Sequence, residues 1–191
     1  MCGLLGMLAA TGNVDKYVDA LERSLPCMRH RGPDAAGTWH DGDAAFGFNR
    51  LSIIDLEHSH QPLRWGPEDQ PDRYAMTFNG EIYNYVELRE ELKGLGYTFH
   101  TEGDGEPIVV GYHHWGKDVV NHLRGMFGIV IWDTHTKTMF AARDQFGIKP
   151  LYYATTPAGT VFASEMKCIL EMADEIGLEL NLDRRAIEHY V

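Results

Sequence analysis

The sequence predicts an α+β protein in which antiparallel sheets are covered by helices. Three observations lead there. Short runs rich in aromatic and aliphatic residues outnumber the helical patterns, turn residues separate several of those runs so that hairpins recur, and the helical patterns fall into two groups. At 191 residues the chain suits one well-filled domain and is short for two.

The strand runs are 4–10, 37–40, 45–49, 74–78, 127–132, 139–143, 151–154 and 161–163. Residues 133–137 read as a hairpin loop between two of them. The first helical pattern begins near Val14, where Val14, Tyr17, Val18, Leu21, Leu25 and Met28 recur at helical spacing. Pro26 should kink or end it, because proline lacks the N–H and crowds the preceding turn. A second pattern covers 85–95, with Leu88, Leu92 and Leu95 on one face and Gly94 and Gly96 at its end. A third covers 107–115, with Ile108, Tyr112 and Trp115 inward, and a fourth covers 165–172. Residues 64–72 carry two prolines and several charges and read as a surface loop. Residues 181–191 read as a capped helix cut off mid-pattern, so the natural protein is expected to continue.

Composition narrows the function. A net charge of -11 with no basic stripe argues against a nucleic-acid partner, since an acidic surface repels phosphates. No apolar run is long enough to cross a bilayer, so no membrane role is expected. The opening apolar stretch lacks a basic start, the first positive residue being Lys16, and reads as a buried strand; the cytoplasm is the expected location. Cys2, Cys27 and Cys168 are odd in number and widely spaced, which fits free thiols better than disulfides or a metal site. His58 and His60 flank Ser59, and His113 adjoins His114, but neither pair forms a metal-ligand pattern, so no metal is expected.

Cys2 is the candidate for chemistry. Removal of Met1 would leave a cysteine with a thiol of pKa about 8.5 and an α-amine of about 7.7–8.0, both titrating close to working pH. Such an amine can act as general base for its own side chain, and the thiolate attacks amide carbonyls without a separate histidine. A cysteine at position 2 is not specific by itself. The local sequences that follow it are: Arg31-Gly32-Pro33-Asp34; Asn49-Arg50-Leu51-Ser52-Ile53-Ile54-Asp55; Phe78-Asn79-Gly80-Glu81-Ile82-Tyr83-Asn84; Gly103-Asp104-Gly105-Glu106; Gly125-Met126-Phe127-Gly128; the segment from Arg143 to Tyr153; and Ala163-Ser164-Glu165-Met166-Lys167.

In this order the set resembles the N-terminal glutamine amidotransferase domain of the asparagine synthetase family, a class II amidotransferase. The resemblance runs from Cys2 to about Lys167. It implies an N-terminal nucleophile hydrolase fold, an αββα sandwich of two antiparallel sheets flanked by helices, with Cys2 at the start of a central strand. It implies hydrolysis of L-glutamine to glutamate and ammonia through a γ-glutamyl thioester on Cys2. The Arg50 guanidinium would take the substrate carboxylate, and Asp104 its ammonium, with Glu81 sharing that task. Backbone groups of Leu51, Ile53 and Ile54 would complete the cradle. The Asn79 amide and the Gly80 N–H would form the oxyanion hole.

Outside a family pattern, Asn79-Gly80 would read as a hairpin turn and Asp104 as a loop residue or cap. Arg31-Gly32-Pro33-Asp34 and the Arg143–Tyr153 segment read as turn and packing motifs, the second also as a face for a partner domain. Cys27 and Cys168 read as inert residues on apolar helix faces. Asn49, Gly103 and Pro107 depart from the family's usual residues, beside the inferred contacts.

The resemblance further implies residues 1–175 as the glutaminase domain and 176–191 as the start of a connection to a C-terminal synthetase domain. That domain would use ATP and Mg2+, whereas the glutaminase half needs no cofactor. A homodimer is compatible with the pattern. Two alternatives remain open: an amidotransferase acting on another carboxylate, such as a cell-wall precursor, and a non-catalytic module that binds glutamine or a partner and regulates.

Overall fold

The computed structural model describes residues 2–55, 58–181, 185 and 188. Its strands are β1 Gly3–Ala9, β2 Ala35–His40, β3 Ala44–Arg50, β4 Leu63–Trp65, β5 Tyr74–Ile82, β6 Gly125–Asp133, β7 Thr138–Arg143, β8 Tyr152–Thr156 and β9 Gly159–Ala163. They form a five-stranded sheet in the order β2-β3-β1-β9-β8 and a four-stranded sheet in the order β4-β5-β6-β7. Every strand pairing is antiparallel. The helices are α1 Asp15–Ser24, α2 Tyr85–Gly94, α3 Glu106–Trp115, α4 Met166–Glu171 and α5 Ala173–Ile176.

Side-chain alternation along the strands explains the layers. Successive residues of a strand point to opposite faces. Leu5, Met7 and Ala9 of β1 pack with Tyr17 and Leu21 of α1 and with Cys168 and Ile169 of α4. Leu4, one residue out of phase with them, packs on the other face with Phe46, Phe48, Val130 and Trp132, which lie between the two sheets. In the second sheet Met76, Phe78, Ile129 and Ile131 meet Leu88 and Leu92 of α2 and Ile108 of α3. Helix, sheet, sheet and helix therefore stack as four layers. The central strands are covered on both faces, which is why β1 and β3 read as unbroken apolar runs and not as alternating ones.

As Pro26 leads one to expect, the first helix ends at Ser24, and residues Leu25–Met28 form a 3-10 turn with Pro26 in its first turn, where a missing N–H costs nothing. Other expectations need correction. Residues 64–65 are not loop: they belong to β4, whose Leu63 and Trp65 are buried opposite Met76 and Tyr74. A three-residue edge strand is too short to show alternation in sequence. Strand β5 does not stop at Phe78 but runs through Asn79-Gly80 to Ile82, paired with β6 throughout. The fourth helical pattern forms α4, and a further short helix not expected from sequence, α5, follows it. The helix expected over 181–191 lies mostly outside the described residues.

The loop between β6 and β7 is tied down by Asp133, which is 4% exposed. Its carboxylate accepts Arg73 Nε at 3.0 Å and Arg73 Nη2 at 2.7 Å, a bidentate pair, and the N–H groups of His135 and Thr136. Burial works against ionisation, but the bonds from Arg73 and the loop N–H groups outweigh it and hold the carboxyl at about 2, below its usual 3.8. A depressed folded pKa stabilises above the unfolded value, so this contribution is full above about pH 4 and is lost as pH falls toward 2. Roughly two pKa units at about 1.4 kcal/mol each make it about 2 to 3 kcal/mol. Asp133→Asn should lose stability of that order in urea titrations at neutral pH and show a flatter acid limb; an unchanged limb would contradict the assignment.

Candidate active site

Register brings the site together. Gly3 of β1 lies opposite Asn49 of β3, so Cys2, just before β1, lies beside the end of β3 where Arg50 and Leu51 leave the sheet. The far part of β5 supplies Asn79, Gly80 and Glu81 from the second sheet, and the turn before α3 supplies Asp104. One cleft is lined by Cys2, Arg50, Leu51, Ile53, Ile54, Asn79, Gly80, Glu81 and Asp104, all nine of the residues singled out from sequence.

The cysteine is held on both sides. Its Sγ accepts the Leu51 N–H at 3.4 Å and lies 3.5 Å from the Leu51 carbonyl. Its own carbonyl accepts Arg31 Nε at 3.0 Å, and Arg31 Nη1 donates to Glu165 at 2.8 Å. Arg31 is thus more than a turn residue: it anchors the Cys2 backbone to the start of α4. Burial pushes the Cys2 thiol up, while the Leu51 N–H and the Arg50 charge work to lower it. Neither of the other cysteines lines the cleft. Cys168 is wholly buried and its thiol is pushed up to about 12 by that burial. Cys27 lies in the 3-10 turn after α1, not on an α-helix, and packs against the same core.

Charge in the cleft has two poles. Arg50 is 6% exposed and its Nη2 donates to the carbonyls of Asp55 at 2.6 Å and Ile54 at 3.4 Å. Asp104 accepts the Ile82 N–H at 3.0 Å. Its carboxyl is raised by burial, and the neighbouring Glu81 charge adds to the rise, so a cation beside it would be favoured. Between β5 and the cysteine, Asn79 is 1% exposed and its Nδ2 is buried with no hydrogen-bond partner. An unpaired buried donor costs free energy, commonly about 1–3 kcal/mol, which a ligand oxygen would recover.

Residues that the sequence reading missed also line the cleft: Ser59, Gln61 and Lys149 among them. Gln61 uses its side-chain amide as a strand would use its backbone, accepting the Phe78 N–H at 2.6 Å and donating to the Phe78 carbonyl at 3.0 Å. No periodicity in this irregular segment signals that pairing. The paired histidines diverge: His113 meets the Tyr74 hydroxyl, His114 that of Tyr97, and His58 meets Asp55. Among the described residues no three His, Cys, Asp or Glu side chains gather as a metal site would need. No described helix is long and apolar enough to cross a membrane.

Gly80 shows why its position excludes a side chain. A Cβ there would fall 2.2 Å from the Met126 carbonyl oxygen and 2.8 Å from the Phe127 Cα. Both obstacles are backbone of the paired strand and cannot move aside. Gly80→Ala should therefore lower Tm by on the order of 5 °C or more, from overpacking of about 1–3 kcal/mol. An unchanged Tm would mean that β5 and β6 separate more easily than their register suggests.

The chain is 54% identical over its whole length to a Mycobacterium bovis protein named for glutamine-hydrolysing asparagine synthetase, and 41% identical to asparagine synthetase 1 of Bacillus subtilis. It spans 31% and 29% of the length of those relatives. Two solved structures share the architecture at 21% identity. A Bacillus subtilis glutamine phosphoribosylpyrophosphate amidotransferase gives a TM-score of 0.69 over 92% of this chain and 44% of that one. An allosteric regulatory enzyme of purine biosynthesis gives 0.71 over 92% and 43%. At that identity they speak for the fold alone, which is the N-terminal nucleophile hydrolase sandwich expected from sequence. The glutamine amidotransferase domain family matches residues 1–191. By a match that leaves no part of the sequence out, this chain belongs to the glutamine amidotransferase domain family.

Proposed function

We propose that this domain hydrolyses L-glutamine to glutamate and ammonia, with Cys2 as nucleophile. One observation carries the reading: a half-buried thiol, an unpaired buried amide donor on Asn79 and two opposite charges, Arg50 and Asp104, share one cleft. A free amino acid bearing a side-chain amide has the matching parts. Its carboxylate suits the planar fork of Arg50. Its ammonium suits Asp104, with Glu81 adding negative charge. Its amide carbonyl would lie against Asn79 Nδ2 and the Gly80 N–H.

The reaction needs Met1 removed, so that the Cys2 α-amine is free. The amine takes the thiol proton, the sulfur attacks the amide carbon, and the carbonyl oxygen gains negative charge that Asn79 and Gly80 stabilise. The tetrahedral species collapses to the γ-glutamyl thioester as the amine returns the proton to departing ammonia. Water, deprotonated by the same amine, adds to the thioester and releases glutamate and the thiol.

The ammonia is proposed to serve an amide-forming synthetase part of the asparagine synthetase type, on the strength of the relatives' names and greater length. ATP and Mg2+ would act there, and the residues of this chain do not fit them: the sequence holds no Gly-Gly pair to cradle pyrophosphate. A docking face for that part is supported by Phe146, 80% exposed, and Ile148, 55% exposed. Their loop is not lax, because Asp144 accepts the N–H groups of Phe146, Ile148 and Lys149. Three free thiols suit the reducing cytoplasm, the location we propose.

A thiol-directed glutamine analogue should add once, to the N-terminal peptide, in mass spectrometry of the processed protein. No adduct, or one on Cys27, would remove Cys2 from its role. Asn79→Ala should lower kcat by about 10²–10³ with a small change in KM, because the lost donor acts on charge that develops in the transition state. A rise in KM at constant kcat would instead make Asn79 a ground-state contact.

A further inference from the structure

Asp55 reaches both poles of the cleft without lining it. Its backbone carbonyl accepts Arg50 Nη2 at 2.6 Å. Its carboxylate accepts the Glu102 N–H at 2.9 Å, two residues before Asp104. The same carboxylate accepts the Ser59 hydroxyl and the N–H and ring Nδ1 of His58, each at 3.1 Å. Burial favours the neutral acid, but the bonds from Glu102, His58 and Ser59 outweigh it and hold the carboxyl at about 2. All these donors therefore meet a full negative charge at working pH.

The backbone is shaped for this contact. Asp55 has φ +46°, a left-handed conformation that most side chains avoid and aspartate tolerates. On the other side, a Cβ on Gly103 would fall 2.1 Å from Ser59 Oγ and 3.9 Å from the Asp55 Cβ. A side chain at position 103 would have to displace the Ser59 hydroxyl. The rest of the Asp104 loop is held from behind. Buried Glu106 accepts the N–H groups of His100 and Thr101, and Arg89 Nη2 donates to the Gly103 carbonyl at 2.8 Å.

Arg50 and Asp104 come from different sheets' connections and share no local chain geometry. An α-amino acid has a fixed separation between its carboxylate and ammonium, so the two protein groups must be spaced to match. We propose that Asp55 is the positioning residue that sets this spacing, joining the Arg50 guanidinium to the Asp104 loop and so selecting zwitterionic α-amino acids over simple amides. The inference rests on the glutaminase reading above.

The test uses the intact protein with two probes of Cys2: a diazoketone analogue of glutamine, which carries both charged ends, and iodoacetamide, which carries neither. For Asp55→Asn, half-saturation by the analogue and KM for glutamine should rise about tenfold or more, as expected for losing charge-assisted bonds. The maximal inactivation rate, the iodoacetamide rate and kcat should stay near wild type. That split is one a general loss of structure would not give. If Asp55→Asn fails to fold, Gly103→Ala decides by the same readouts, since its Cβ displaces the Ser59 hydroxyl that donates to the Asp55 carboxylate. A folded variant with unchanged half-saturation, or with reduced kcat alone, overturns the inference. Wild-type protein that reacts with iodoacetamide but not with the analogue overturns the glutaminase reading, and this inference with it.

Discussion

The antiparallel register of β1 against β3 is the constraint on which the site depends. With Gly3 opposite Asn49, the residue before β1 and the residues after β3 must emerge side by side. A shift of one residue would turn Leu5 and Met7 from the helices toward the other sheet, and Leu4 the opposite way. Register is therefore enforced by burial on both faces at once. The sulfur inherits its place from the packing of the whole sheet, and Arg31 then pins its backbone to Glu165.

The second sheet contributes the other half of the cleft through stacking. Phe46 and Phe48 from one side and Val130 and Trp132 from the other fill the space between sheets. The Trp132 indole also donates to Asp41 at 2.7 Å, which ties the turn between β2 and β3 to β6. Fixed in this way, β5 carries Asn79 and Gly80 toward the cysteine. Here the fold tolerates features that a pure stability argument would remove: a buried amide donor without a partner, a buried arginine and a half-buried carboxylate raised in pKa. Such local violations are expected where a ligand completes the structure.

Much of the site was legible in sequence because its residues fall in compact local motifs. Arg50 with Leu51, Ile53 and Ile54, or Asn79 with Gly80 and Glu81, can be read as units, and all line the cleft. Arg31 lies in the turn expected, but its further role was not read because its partners, Cys2 and Glu165, are remote along the chain. Gln61 and Asp55 escaped for the same reason. A side-chain amide that imitates a strand, or a carboxylate that bridges two loops, leaves no periodic mark.

By themselves, the residues determined most of the helices and strands, their antiparallel class and the family motifs that follow Cys2. Hydrophobic period and turn chemistry are local properties, and these follow from neighbours in the chain. Tertiary structure alone decided that β4 exists, that β5 continues through Asn79-Gly80 and that the Arg50 and Asp104 segments are bonded through Asp55. Those outcomes depend on pairing and burial between distant segments, and only the closed fold brings them within hydrogen-bond distance.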